Sequence, residues 1–304
     1  MLSGNLIKTR ILIIGSNGML GQRLAEYFSI TNNYELMCAS AEPESFVPGV
    51  DYKSVDITQK NSVRKLILDF FPDFVINAAA YTNVDKAEKE RELAWKVNVN
   101  GVENIALYAW TIDAHMIHIS TDYIFDGKKG PYSENDKPCP ISYYGRTKLA
   151  SENSIRTSGV RYTIIRTNVL YGPAKYGRPD FVKWVINSLR AGEQIRIVTD
   201  QYNNPTYVDD LVDAIHKIIL FKKEGIYNIA GKEIISRYDF TLKIADYFDL
   251  NKKLIKPILT KDLNQAAPRP LKSGLIILKA MVELDYKPHE YEETFELMKK
   301  ELNL

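Results

Sequence analysis

Residues 11–21 read ILIIGSNGMLG. The β-branched apolar run Ile11–Ile14 stops at Gly15, and a helical pattern follows over Leu20–Ile30. Glycines at 15, 18 and 21 give a G-x-x-G-x-x-G spacing between strand and helix. Gly15 permits a tight turn, Gly18 lets a pyrophosphate approach the backbone, and Gly21 lets the helix pack closely on the strand. The N–H groups opening the helix then face the anion. The stretch predicts a dinucleotide-binding βα turn; the plainer alternative is an ordinary turn between strand and helix.

Outward from this turn, short apolar runs alternate with amphipathic stretches. Strands are expected at Glu35–Ala39, Phe74–Ala80, Met116–Thr121 and Tyr162–Thr167. Helices are expected at Ser62–Phe71, over Asp85–Ile112 as one long element, and at Ser142–Arg156. Alternation of this kind means βαβ units and a parallel sheet covered on both faces. Right-handed crossovers make it a Rossmann-type doubly wound α/β sheet. After about residue 168 the rhythm changes. A Gly/Pro-containing loop at Tyr171–Pro179 precedes helices at Asp180–Leu189 and Val208–Phe221, and Tyr227–Ala230 is expected to return to the main sheet. The division expected is a dinucleotide-binding domain over 1–168, with return segments near 200–230, and a smaller C-terminal substrate-binding lobe over 169–304.

Composition narrows the function. The 304 residues carry 40 basic and 38 acidic side chains, a net charge of +2, too balanced for binding nucleic acid by phosphate neutralisation. No apolar run reaches the ~18 residues that span a bilayer, and the first ten residues lack a signal-peptide core. Cys38 and Cys139 are too few for a disulfide scaffold, which points to a reducing cytoplasm. Neither a membrane nor a nucleic acid is expected as partner, and the four histidines form no metal signature.

A Y-x-x-x-K spacing occurs twice, at Tyr144/Lys148 and Tyr171/Lys175. The second pair is broken by Gly172-Pro173, whereas the first opens a helical stretch and shares one face. An ammonium beside a phenol is expected to lower the tyrosine pKa from ~10 toward working pH. The phenol then gives a proton to a ketone oxygen as hydride reaches carbon. Ser120 and Thr121 end a parallel strand, where ligands bind. Alternation predicts that only one of them reaches the site. After the second strand, Ser40 could donate to either nicotinamide cofactor, Glu42 reads as a solvated loop charge, and no arginine stands ready for a 2′-phosphate. Asp56 suits an adenine amine or a helix cap.

With these stretches in view, the chain resembles the extended short-chain dehydrogenase/reductase superfamily and, within it, the dTDP-4-dehydrorhamnose reductase family. The likeness rests on IGSNGMLG (14–21), VINAAAYTNVDKAE (75–88), VNVNG (97–101), HISTDYIFDG (118–127) and YYGRTKLASE (143–152). It continues in IIRTNVLYG (164–172), DQYNNPTYVDDL (200–211) and APRPLKSGL (267–275). The resemblance implies hydride transfer from a nicotinamide, NADP slightly favoured over NAD, to C4 of a nucleotide-linked 4-keto-6-deoxysugar. It implies Tyr144 as proton donor, Lys148 as its partner and Thr121 as the hydroxyl that orients the sugar ketone. The turn around Gly15, Asn17, Gly18, Met19 and Leu20 would hold pyrophosphate. Ser40, Asp56 and Ile57 would meet the adenosine, Ala78, Ala79 and Ala80 would line the cleft, and Asn98 would support the lysine. Asp122, Val169 and Arg269 are expected toward the substrate; Arg178 and Lys183 are further phosphate candidates, and Tyr176 and Tyr207 weaker ones.

Departures from the family pattern are informative. Val169 stands where a tryptophan is frequent after Arg-Thr-Ser, here Arg166-Thr167-Asn168. Arg23 replaces a glutamate that bridges subunits through magnesium in some members, so no metal is expected. A homodimer remains an expectation. The alternatives are a sugar-nucleotide epimerase or dehydratase, or a non-catalytic regulatory subunit like the β subunit of methionine adenosyltransferase. Tyr123 follows Thr121-Asp122 where a dehydratase has glutamate, which argues against water loss.

Overall fold

The computed structural model describes residues 8–303. Seven parallel strands form the main sheet: β1 Thr9–Ile14, β2 Tyr34–Ser40, β3 Tyr52–Ser54, β4 Phe74–Asn77, β5 His115–Thr121, β6 Arg161–Thr167 and β7 Gly225–Asn228. Their order is β7-β6-β5-β4-β1-β2-β3, so the winding reverses between β1 and β4. In such sheets ligands bind at that switch point, outside the carboxyl ends of the strands.

Both faces of the sheet are buried, which is why the strands read as continuous apolar runs. Ile11 and Ile13 of β1 face one core with Leu24 and Phe28 of helix α1 (Met19–Ser29). Leu12 and Ile14 face the other, with α2 (Lys60–Phe70) and α3 (Gly101–Thr111). Helix α4 (Tyr143–Thr157) packs beside α3 on that second face. Helix α5 (Val208–Phe221) lies beside α1 and ends at Lys222 in a left-handed turn.

The long helix expected over Asp85–Ile112 is instead broken into Val84–Ala87, Arg91–Trp95, a π-helical turn Lys96–Asn100, and α3. The chain leaves the helix only at 88–90; from Arg91 to Thr111 it is continuous and widens around Asn98. Its side chain accepts from the Tyr81 N–H at 2.7 Å and donates to the Tyr81 carbonyl at 3.1 Å and the Thr147 hydroxyl at 2.9 Å. Turning that amide inward suits a wider local turn.

Beyond β6 the chain builds a third core from Tyr171, Val185, Phe240, Ile244 and Phe295, separate from the two that cover the sheet. Short strand pairs join Ile195–Val198 to Ile255–Ile258 and Leu170–Tyr171 to Thr206–Tyr207. The architecture is therefore a Rossmann-like parallel α/β sheet with a separate C-terminal region of helices and short strands. The late strand β7 pairs with β6 over Gly225–Asn228, two residues earlier than the run read from sequence. No described helix is long and apolar enough to cross a membrane.

Candidate active site

The glycine turn is shaped by collision. Gly15 has φ +85°, and a Cβ there would lie 2.5 Å from the Ala79 nitrogen; at Gly21 it would lie 2.1 Å from the Gly15 carbonyl oxygen. The same test at Gly18 meets only the Gly15 oxygen, at 3.4 Å, so that side of the turn is open. Gly18 is the N-cap of α1, and the first turn of α1 holds no acidic residue. An open backbone at a helix N-terminus without a competing carboxylate fits a dinucleotide pyrophosphate.

This turn forms one wall of a cleft of about 990 Å³ at the carboxyl edge of the sheet. That is at the upper end of the range for ligand pockets. Gly15, Gly18, Met19, Leu20, Ser40, Asp56, Ile57, Ala78, Ala79 and Ala80 all line it. So do Thr121, Asp122, Tyr144, Lys148 and Val169, with Phe181 and Trp184 from the far side. Sequence reasoning missed those two aromatics; a half-buried Phe181 and an exposed Trp184 on an amphipathic helix carry no local sign of facing a cleft.

Helix α4 presents the Tyr144–Lys148 pair. Ser142 caps it by accepting from the Gly145 N–H at 3.1 Å. Gly145 then permits contact with the 122–124 turn, since a Cβ would sit 2.2 Å from the Tyr123 carbonyl oxygen. One turn on, Lys148 is buried. Its Nζ donates to the Ile119 carbonyl at 2.6 Å and stands 3.2 Å from His118 Nε2. Burial pulls this ammonium down to about 8, with Glu152 opposing.

The expected lowering of the tyrosine pKa is not what the structure has. Burial, with Asp122 and Tyr123 nearby, raises the Tyr144 phenol above its ordinary value, and Thr121 only partly offsets this. Desolvation of the phenol sets the direction, while the Lys148 ammonium is engaged with the Ile119 carbonyl. Tyr144 is accordingly a protonated phenol at neutral pH.

The strand end behaves differently for its two hydroxyls. Ser120 Oγ donates to Glu152, which is locked in a buried ion pair with Arg166 at 2.7 Å. Thr121 Oγ donates to Asp122 at 3.0 Å and accepts from the Tyr123 N–H at 3.2 Å. Asp122 also accepts from Ser273 at 2.5 Å. Burial pushes the Asp122 carboxyl up to about 6 against these donors.

Three expected site residues are not among those lining the cleft. Asn17 is absent from the cleft lining; its amide donates to the Glu44 carbonyl at 2.8 Å and its oxygen accepts from the Phe46 N–H at 2.9 Å. Asn98 does not touch Lys148 but braces α4 through Thr147, as described above. Arg269, expected at the substrate, makes a two-pronged contact with Asp85, both bonds at 2.6 Å. That guanidinium holds the Asp85 carboxyl below its ordinary range. Of the weaker candidates, Arg178 lines the cleft, Lys183 donates to the Ala174 carbonyl, and Tyr207 is buried. Arg23 is paired with Asp209, Glu26 and Glu301.

The RmlD substrate binding domain matches residues 9–304 of the chain. The protein belongs to this family. It is similar to dTDP-4-dehydrorhamnose reductase of Aggregatibacter actinomycetemcomitans, 35% identical over 295 residues, with 93% of this chain and 96% of that protein covered. Among solved structures it resembles dTDP-4-dehydrorhamnose reductase of Bacillus anthracis in complex with NADP. That likeness has a TM-score of 0.86 at 34% identity and covers 97% and 100% of the two chains. It is also similar, at 28% identity, to methionine adenosyltransferase 2 subunit beta of Bos taurus, with 84% of this chain and 76% of that one covered. Membership of the RmlD family agrees with the resemblance read from the motifs, and with the doubly wound fold.

Proposed function

We propose that the protein is an NAD(P)H-dependent reductase of a nucleotide-linked 4-keto-6-deoxysugar, with dTDP-4-dehydrorhamnose as the foremost substrate. One observation carries the reading. A phenol, an ammonium and a hydroxyl from α4 and β5 share a single cleft with an open glycine turn. The family and its reductase relatives support the same choice. In this reading residues 1–168, completed by the returning strand, bind the dinucleotide, and 169–304 mainly receive the sugar nucleotide. The cytoplasm is its compartment, in keeping with two unpaired cysteines.

A bound reduced nicotinamide supplies the hydride. The protein's own part is to place the ketone and deliver a proton. Tyr144 holds its proton until the ketone oxygen gains charge, then donates it. Lys148 stands one turn along α4, where a positive charge stabilises the phenolate left behind. Thr121 lines the cleft with its hydroxyl resting on Asp122, and it orients the ketone oxygen by turning that proton from the carboxylate to the substrate. Phe181, Trp184 and Val169 form the far side of the cleft.

The test is Tyr144→Phe. Turnover should be abolished while cofactor affinity stays near wild type, because the ring is kept and only the hydroxyl is lost. Full activity would remove Tyr144 as the donor. A panel of nucleotide-linked 4-ketosugars, followed by loss of reduced-nicotinamide absorbance, identifies the substrate. Cofactor binding without consumption by any ketosugar would favour a regulatory subunit instead.

A further inference from the structure

We propose that Glu42 makes this protein select NADH over NADPH, by fixing a negative charge at the adenosine end of the cleft. The inference rests on the dinucleotide reading above and deepens it. Strand β2 ends at Ser40, and the residues that follow the second strand of such a fold meet the adenosine ribose. Ser40, Ala41, Glu42 and Asp56 line the cleft there.

Glu42 is exposed, but it is tethered. Asn17 Nδ2 donates to its Oε2 at 3.2 Å, and the Tyr52 hydroxyl donates to its backbone carbonyl at 2.6 Å. Asn17 holds the following chain at Glu44 and Phe46 as well. This explains why an asparagine in the glycine turn faces away from the cleft: it fastens the loop that carries the carboxylate. Ser40 Oγ accepts from the Asn17 N–H at 3.0 Å, which leaves its own proton to donate to a ribose hydroxyl.

A 2′-hydroxyl suits a carboxylate acceptor beside a serine donor. A 2′-phosphate instead brings close to two negative charges at neutral pH. Among the described residues lining the cleft, the basic ones are Lys148 and Arg178. Lys148 is held on the Ile119 carbonyl beside Tyr144. Arg178 comes from the loop whose Tyr176 packs on Phe46, with ring centroids 5.7 Å apart. It is thus the cation to test as a rival.

Dissociation constants for NADH and NADPH, measured without any ketosugar by nicotinamide fluorescence and calorimetry, decide the matter. The wild type should bind NADH roughly tenfold or more tightly than NADPH, and the gap should shrink at high salt. Glu42→Gln should narrow the gap mainly by strengthening NADPH, and Arg178→Ala should keep NADH ahead. Equal or tighter NADPH binding by the wild type, or a ratio unmoved in Glu42→Gln, overturns the inference alone. Failure of both cofactors to bind overturns the dinucleotide reading beneath it.

Discussion

The Lys148 ammonium and the His118 imidazole lie 3.2 Å apart in a fully buried setting. Burial, and then the charge of Lys148, keep His118 well below its ordinary value, so it stays neutral. Burial likewise brings Lys148 to about 8 from 10.5. The folded state therefore binds this proton more weakly than the unfolded chain. The penalty is complete below pH 8, fades as pH rises, and is gone above 10.5. Lys148→Met, compared with wild type by urea denaturation, should look better at pH 7 than at pH 10.5 by roughly 2–3 kcal/mol. The same difference at both pH values would mean that Lys148 is not desolvated.

Asp122 has the opposite chemistry and a different window. Its carboxyl is raised to about 6 by burial, so the folded state binds a proton more tightly than the unfolded chain between 3.8 and 6. The destabilisation is absent below 3.8 and complete above 6. Asp122→Asn should therefore gain most on wild type above pH 6, and least near pH 3.8. Thermal unfolding across that range measures it.

Thr121→Val keeps the shape of the strand end and removes one hydroxyl. It should lower kcat/KM by about 10²-fold, the scale for losing one positioned polar group at a developing charge. Cofactor affinity should move little. A steady-state comparison that found wild-type kcat/KM would remove Thr121 from the reaction.

The Glu152–Arg166 pair is the structural counterpart of these site groups. Both partners are almost fully buried, and Arg166 also donates to the Glu134 carbonyl at 3.0 Å. Breaking a buried pair from one side leaves an uncompensated charge, a cost of about 3–5 kcal/mol. Arg166→Met alone should lose stability on that scale, and the double variant with Glu152→Met should recover much of it. Chemical denaturation of the three proteins tests the cycle.

How much of this was legible in the chain depends on how local the cause is. The strands of the first half declare themselves because a doubly covered parallel strand is a continuous apolar run, as at Ile11–Ile14 and over 74–76. The glycine turn is legible because Gly15 and Gly21 answer to sterics within a few residues or one neighbouring strand. The π-helical turn inside the expected 85–112 helix is not, since the Asn98 amide there reaches Tyr81 and Thr147 through space. The fate of Arg269 is hidden for the same reason: its partner Asp85 lies 184 positions away. The Tyr144 pKa failed differently. Spacing shows that an ammonium is one turn away, but not how deeply phenol and ammonium are buried. Glu42 read as a loop charge because Asn17, which pins it, sits 25 residues earlier.

Strand β7 is delivered by residues 225–228, more than fifty positions after β6 ends. Until that segment emerges from the ribosome, β6 offers a bare row of peptide groups along its outer margin. Such margins invite pairing with other chains. A fragment cut at residue 168 would carry every element of the glycine turn and still be prone to clump, so a fragment of the nucleotide half has to include residues 225–228 to cover that margin.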